Sequence, residues 1–155
     1  MRILLATDGS DYSREATRAC RDLLANVKKA HVKVVTVIDN FTPMATEPFV
    51  TSEEFLVNME SEMRENAEGI VANAEKTLRD RENPPDVETG ILLGLPKKMI
   101  IGEAEKWQPD MIIMGSHGLG FWGRAFIGSV SSAIVHRAPC SVLVVKKRDE
   151  NASAG

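Results

Sequence analysis

The chain has 155 residues and a mass of 17.0 kDa, with 43% hydrophobic residues, 26% charged residues and a formal net charge of −3. That length suits one domain able to bury most of its apolar surface without staples, and interspersed charges of both signs argue against a general electrostatic grip on nucleic acid. The first apolar run, Ile3 to Ala6, is too short for a secretory signal and none elsewhere is long enough to span a bilayer, so a protein of the cytoplasm without membrane attachment is expected.

Ile3, Leu4, Leu5 and Ala6 run into Thr7, Asp8 and Gly9, the pattern of a buried parallel strand that empties into a loop. Asp8 then stands at the strand's carboxyl end. Ala16, Ala19, Cys20, Leu23, Leu24 and Val27 follow the spacing of an amphipathic helix, with Ser10 or Ser13 as its cap. Val32, Val34, Val35, Val37 and Ile38 form a second, β-branched strand that Asp39 and Asn40 stop. After a proline-containing loop over Phe41 to Thr51, a long helix is expected from Ser52. Its face is Phe55, Met59, Met63, Ala67, Ile70, Ala74 and Leu78, and Asn83, Pro84 and Pro85 end it. Met59 and Met63 are packing residues of that face rather than ligands.

Val87 to Leu93 is a half-polar third strand, placed at a sheet edge. Pro96 suits the first turn of a third helix, whose inner face is Met99, Ile100, Ala104 and Trp107, with Trp107 in the core rather than a stacking platform. Met111 to Met114 is the fourth strand, Ser129 to Arg137 the fourth helix and Ser141 to Val145 the fifth strand. The domain is expected over residues 1–148, with a polar, frayed tail over 149–155. Strands alternating with helices imply a parallel sheet with right-handed crossovers and helices on both faces. Cys20 and Cys140 have neither CxxC spacing nor a disulfide framework, which points to reduced thiols without a redox role.

The chemistry concentrates between Met111 and Val145, where Gly115, Gly118, Gly120, Gly123 and Gly128 lie between an apolar strand and a serine-rich helix start. Glycines let backbone N–H groups approach a ligand, and a helix start attracts anions through unpaired N–H groups and the positive dipole end. No acid lies between Met111 and Arg148 to oppose a phosphate. Gly118, Gly120 and Gly123 spell G-x-G-x-x-G, yet no helix opens at the third glycine and the next acid is Asp149, so a dinucleotide site is not indicated. Arg124 and Ala125 stand where a P-loop needs Lys and then Ser or Thr. What remains is G-x2-G-x9-G-S, carried by Gly115, Gly118, Gly128 and Ser129.

With that spacing the chain resembles the ATP-binding branch of the universal stress protein family. Leu-Leu-Ala-Thr-Asp-Gly-Ser at 4–10, Val-Ile-Asp at 37–39, Gly-x-Pro at 94–96 and Ala-Pro-Cys-Ser-Val-Leu-Val-Val at 138–145 are similar to family landmarks in family order, to about residue 147. The resemblance implies a single-domain, Rossmann-like open sheet of five parallel strands in the order 3-2-1-4-5. It also implies ATP with Mg²⁺ or Mn²⁺ at Ala6, Asp8, Val37, Met114, Gly115, His117, Gly118, Gly128, Ser129, Val130 and Ser131. Val37 would border the adenine, Gly115 the ribose, and Gly118 to Ser131 the phosphates. Ala6 departs from the proline of some members, which a backbone-lined wall tolerates.

Asp8 on its own residue chemistry serves either ribose hydroxyls and a metal or a helix cap. His117 can approach a phosphate, Arg124 is a stronger charged partner, and His136 and Arg137 complement the fourth helix's dipole. No nucleophile, base and orienter converge, Ser116, Ser129, Ser131 and Ser132 lack hydrolase-elbow surroundings, and no Cys/His set has metal-ligand spacing. The expectation is a nucleotide-dependent stress or signalling module with at most weak ATP hydrolysis, presenting its surface to a protein partner. The alternatives are a slow ATPase or nucleotidyl-transfer enzyme of the same fold, and a dimeric member without nucleotide. Val142, Leu143, Val144 and Val145, apolar on both faces at a sheet edge, are expected to pair two copies into a homodimer.

Overall fold

The computed structural model describes residues 1–39, 53–118 and 127–147, with backbone alone at 53–56. Five parallel strands, β1 (Arg2–Ala6), β2 (His31–Ile38), β3 (Asp86–Leu93), β4 (Met111–Gly115) and β5 (Ser141–Val145), form one sheet in the order 3-2-1-4-5. They alternate with helices α1 (Asp11–Leu23), α2 (Glu53–Arg79), α3 (Pro96–Trp107) and α4 (Ser129–Arg137). The fold and strand order expected from the sequence are thus found. Ser52, the loop at 41–51, the Phe55 side chain, Gly120, Gly123, Arg124 and the tail at 149–155 lie outside the described residues.

The continuous apolar runs of β1 and β4 follow from burial on both faces. Ile3, Leu5, Val32, Val34 and Ile113 point to one side, where Ala16, Cys20 and Leu24 after α1 and Val71, Ala74 and Leu78 of α2 close over them. Leu4, Ala6, Val35, Ile112 and Met114 point to the other, under Ile100 and Ala104 of α3 and Ile134 of α4. β3 and β5 take the edges, and only Val87 of β3 is buried.

Several face assignments differ from the apolar periodicity. The buried stripe of α1 is Ser13, Ala16, Thr17 and Cys20, while Leu23 is 43% exposed. The chain tightens after Leu23 into a 3-10 turn over Leu24–Asn26, which rotates Leu24 inward and Leu23 out. Ser10, of the two candidate caps, is the one used: its hydroxyl accepts from the Ser13 N–H at 3.2 Å. Val71 joins the buried face of α2, whereas Ile70, Met59 and Met63 are half-buried. Trp107 is half-buried too, with the Arg2 guanidinium 4.4 Å from its ring centroid and His31 edge-on at 5.3 Å. It caps the lower rim of the sheet rather than filling the interior. Burial pushes the Cys20 thiol up to about 12 and raises that of Cys140, so neither offers a thiolate near neutrality.

At Gly115, the end of β4, the first turn of α1 packs directly on the strand. A Cβ there would stand 2.7 Å from the Tyr12 carbonyl carbon and 2.9 Å from the Ser13 nitrogen, backbone that cannot rotate away. Gly115→Ala should therefore cost about 1–3 kcal/mol through overpacking, read as a lower urea midpoint. Gly102, in α3, has nothing within 4 Å of an added Cβ, so Gly102→Ala should stabilise by about 0.5–1 kcal/mol. Equal midpoints for the two variants would contradict the packing described.

Lys147, past the end of β5, donates to Asp11 at 3.0 Å. That hydrogen bond first, and Arg14 next, hold the Asp11 carboxyl below its usual value of 3.8. A carboxyl depressed in the folded state stabilises above its unfolded pKa and loses that contribution as pH falls through the folded one. Asp11→Asn should accordingly be less stable than wild type at neutral pH, with the gap closing below 3.8. Urea melts from neutral to acid pH measure it, and a gap that widens toward acid would run contrary.

Candidate functional site

The sheet order reverses between β1 and β4: the chain leaves β1 toward β2 and β3, then returns to lay β4 on β1's other side. Ala6 pairs with Met114, so the two carboxyl ends are level. A cavity of about 370 Å³ opens there, the position where ligands bind in such sheets. Its apolar walls are Ala6, Val35 and Val37 from the β1 side, Met114 from β4 and Ile100 from α3.

The opposite wall is the start of α4. Gly128 precedes the helix and has no side chain to cap it, and no acid occupies the first turn. The first bond within the helix is Ser132 N–H to the Gly128 carbonyl, so the N–H groups of Ser129, Val130 and Ser131 precede the helix's own ladder. All three residues line the cavity. The helix start is pinned twice to the end of β4: Gly128 N–H donates to the Ser116 carbonyl at 2.8 Å, and the buried Ser131 hydroxyl donates to the Gly115 carbonyl at 2.9 Å. A Cβ on Gly128 would lie 3.2 Å from that Ser116 carbonyl oxygen.

Asp8 is the one carboxylate among the described residues lining the cavity. One of its oxygens accepts from the Ser10 N–H at 3.0 Å, an Asx-turn that leads into α1, and the other would lie 2.8 Å from a Cβ on Gly118. The turn role and the cavity position coexist. His117 is 9% exposed, with Nδ1 3.0 Å from the Ser116 hydroxyl and its ring 4.9 Å from that of Tyr12.

Ten of the eleven residues expected at the site line this cavity, Gly115 and Gly118 among them, while Gly128 stands behind it as the anchor of α4. Thr7, Ser13, Val35, Pro96 and Ile100 also line it and were not singled out from the sequence. Val35 was findable, since it shares a strand face with Val37. His136 and Arg137 fall in the last turn of α4 as expected.

The arrangement offers an apolar slot beside a cluster of N–H and hydroxyl donors. Ser116 and His117 are within hydrogen-bond distance, but the serine is 1% exposed and is not among the described residues lining the cavity. Among the described residues no three His, Cys, Asp or Glu converge as a metal's ligands, and no helix is long and apolar enough to cross a membrane.

The model of the universal stress protein family matches residues 1–146. A universal stress protein of Thermus aquaticus is 32% identical over 144 residues, covering 93% of this chain and 97% of that protein. Among solved structures, hypothetical protein MJ0577 superposes with a TM-score of 0.79 at 29% identity, over 96% of this chain and 97% of that one. Two more distant structures share the fold: a universal stress protein in complex with cAMP and At3g01520 of Arabidopsis thaliana with AMP bound. Their TM-scores are 0.63 and 0.62 at 22% and 16% identity, over 94% and 99% of this chain and 96% of each of those. With a family match along nearly its whole length and the strand order that goes with it, the chain belongs to the universal stress protein family.

Proposed function

We propose that this protein binds ATP in the cavity between β1 and β4 and acts in the cytoplasm as a nucleotide-dependent stress or signalling module. The observation that carries the reading is the start of α4, uncapped and free of acids, whose Ser129, Val130 and Ser131 line the cavity. Such a start supplies N–H donors and a positive dipole end to phosphate. Val35, Val37, Ile100 and Met114 suit an adenine, and the cAMP and AMP complexes within the family support an adenine nucleotide. Asp8 fits a divalent ion held mainly by phosphate oxygens, as Mg²⁺ is when one carboxylate contributes. Asp8, fixed by its turn, would help hold such an ion, which would supply neutralisation of phosphate charge.

Gly128→Val should abolish this binding, because branched carbons at Cβ press on the Ser116 carbonyl 3.2 Å away and shift the helix start. Calorimetry should give ATP heat for the wild type and at least about tenfold weaker affinity for the variant, a loss of about 1.4 kcal/mol or more. Equal affinities would refute the assigned site. Turnover should be negligible, since the two candidate bases among the described residues lining the cavity, Asp8 and His117, are engaged with the Ser10 N–H and the Ser116 hydroxyl, and proton transfer contributes about 10²- to 10⁴-fold only where a base is positioned on the reacting group. A kcat near the enzyme median of about 10 s⁻¹, lost on changing His117 or Asp8, would favour the enzyme reading instead.

The partner face is assigned to β5. Val142, Leu143, Val144 and Val145 are each only half-buried at the sheet edge, where an apolar strand invites pairing. Two-fold symmetry makes that pairing antiparallel, β5 on β5, with Lys146 and Lys147 limiting the register. Light scattering should report twice 17.0 kDa for the wild type, and Val144→Pro, which removes a backbone donor, should return 17.0 kDa. A wild-type monomer at micromolar concentration would remove β5 as an interface.

A further inference from the structure

On the other face of the sheet, between α1 and α2, lies a second cavity of about 580 Å³ that shares Thr7 and Asp8 with the first. Its side walls are Arg14 and Arg18 of α1 and Asn66, Asn73, Lys76 and Thr77 of α2. Two helices packed side by side on a sheet normally close their seam with apolar side chains. Here the seam is apolar along its inner line, Ala16 and Cys20 against Val71 and Ala74, and at its top, where Ile70 stands beside Gly9. The outer line is cationic and carboxamide-rich, and Gly69 widens it, with nothing within 4 Å of an added Cβ.

The spacings show that this line is a continuous feature. Positions 66, 69, 73 and 76 recur at threes and fours along one stripe of α2, and 14 and 18 along one stripe of α1. The helices run the same way: Gly9, just before α1, lies beside Ile70, and beyond α2 Arg81 donates to the carbonyls of Arg21 and Ala25 at 3.2 Å. Arg18 and Lys76 therefore lie toward the lower end of the groove, away from the Asp8 carboxylate at its top.

The cations differ in commitment. Arg14 is held by the Gly9 carbonyl and Asp11. Arg18 pairs with Glu15 of its own helix, an exposed pair of a kind that contributes little and yields to a stronger anion. The Lys76, Asn66 and Asn73 side chains make no hydrogen bond or ion pair to another described residue. Two available cations beside carboxamides and a hydroxyl, with no aromatic among the groove residues, fit an anionic head on a hydroxyl-bearing body. The first cavity differs in kind: its described lining has no Arg, Lys or Asn, and it has an apolar slot at Val37, Ile100 and Met114.

We propose that the α1–α2 groove is a second ligand site that takes a sugar phosphate, with Arg18 and Lys76 holding the phosphate and Asn66 and Asn73 the hydroxyls. This does not depend on what fills the first cavity. The shared Thr7 and Asp8 place the two ligands on opposite sides of one loop, so each should alter the other's affinity by the same factor.

The test is a titration of the isotope-labelled full chain with ribose 5-phosphate, followed by amide NMR shifts, alone and with ATP at saturation. Saturable shifts at Arg18, Gly69, Asn73 and Lys76 are expected, with inorganic phosphate binding more weakly. The double variant Arg18→Glu, Lys76→Glu should weaken binding at least about tenfold, since each charge-assisted bond is worth about that much, while leaving ATP shifts at Ser129 to Ser131 in place. Both residues are exposed. Should the double charge reversal unfold the chain, Lys76→Gln gives the same comparison with a smaller loss. Shifts confined to Ser129 to Ser131, or unchanged affinity in a folded variant, would overturn the second site, and equal affinity for inorganic phosphate would overturn its sugar selectivity. Gly128→Val separates the two sites: loss of ATP with ribose 5-phosphate retained leaves the groove standing, whereas loss of both would put ribose 5-phosphate in the first cavity and overturn the groove.

Discussion

The carboxyl end of β4 has to satisfy both faces of the sheet at one residue, and the geometry of the candidate site follows from how it does so. Gly115 lets α1 approach to where any side chain would meet the Tyr12 and Ser13 backbone. Its carbonyl accepts the Ser131 hydroxyl of α4, and the next carbonyl, Ser116, accepts the Gly128 N–H. Both helices are thereby referenced to the same two peptide units. The first turn of α4 cannot drift relative to β1 without breaking buried hydrogen bonds, each of which leaves an unpaired group costing about 1–3 kcal/mol.

The two helix starts near the site have opposite electrostatic characters. α1 is closed by its own sequence: Ser10 caps the Ser13 N–H, Asp8 accepts from Ser10, and Asp11 adds negative charge to the first turn. α4 begins after a glycine, with no capping side chain and no acid. An anion entering from solvent is therefore met by the dipole of α4 and turned away from that of α1. Asp8 would oppose a phosphate alone, but its placement suits a phosphate that arrives with a cation.

Much of the fold was legible because burial on both faces leaves a strong signature: Ile3 to Ala6 and Met111 to Met114 have no polar interruption, and the strands built on them fall where expected. Faces were harder to assign. The buried stripe of α1 includes Ser13 and Thr17, which an apolar period cannot detect, and Leu23 is turned out by a 3-10 turn that no residue announces. At the candidate site the glycine and serine spacing pointed to residues that line the first cavity, but the reason differs by residue. Gly115 had been read as room for a ligand, and its absent Cβ is also required by Tyr12. Pro96 and Ile100 were missed because they reach the cavity from α3, across a connection whose path the sequence alone does not give.

Those buried hydroxyls also explain how a polar stripe can underlie a helix without weakening it. The Thr7 hydroxyl donates to the Ser13 hydroxyl at 3.1 Å, Ser13 donates to the Ser10 carbonyl at 3.0 Å, and Thr17 donates to the Ser13 carbonyl at 2.9 Å. Each donor is satisfied locally, and bonds in such a chain polarise one another. The chain begins at Thr7, whose residue lines both cavities, and runs into the first turn of α1. Replacing these hydroxyls by apolar groups would seal the helix onto the sheet equally well. It would also remove the polar contact that ties Thr7, in the wall shared by the two cavities, to α1, and with it one route by which an occupant on one side could be felt on the other.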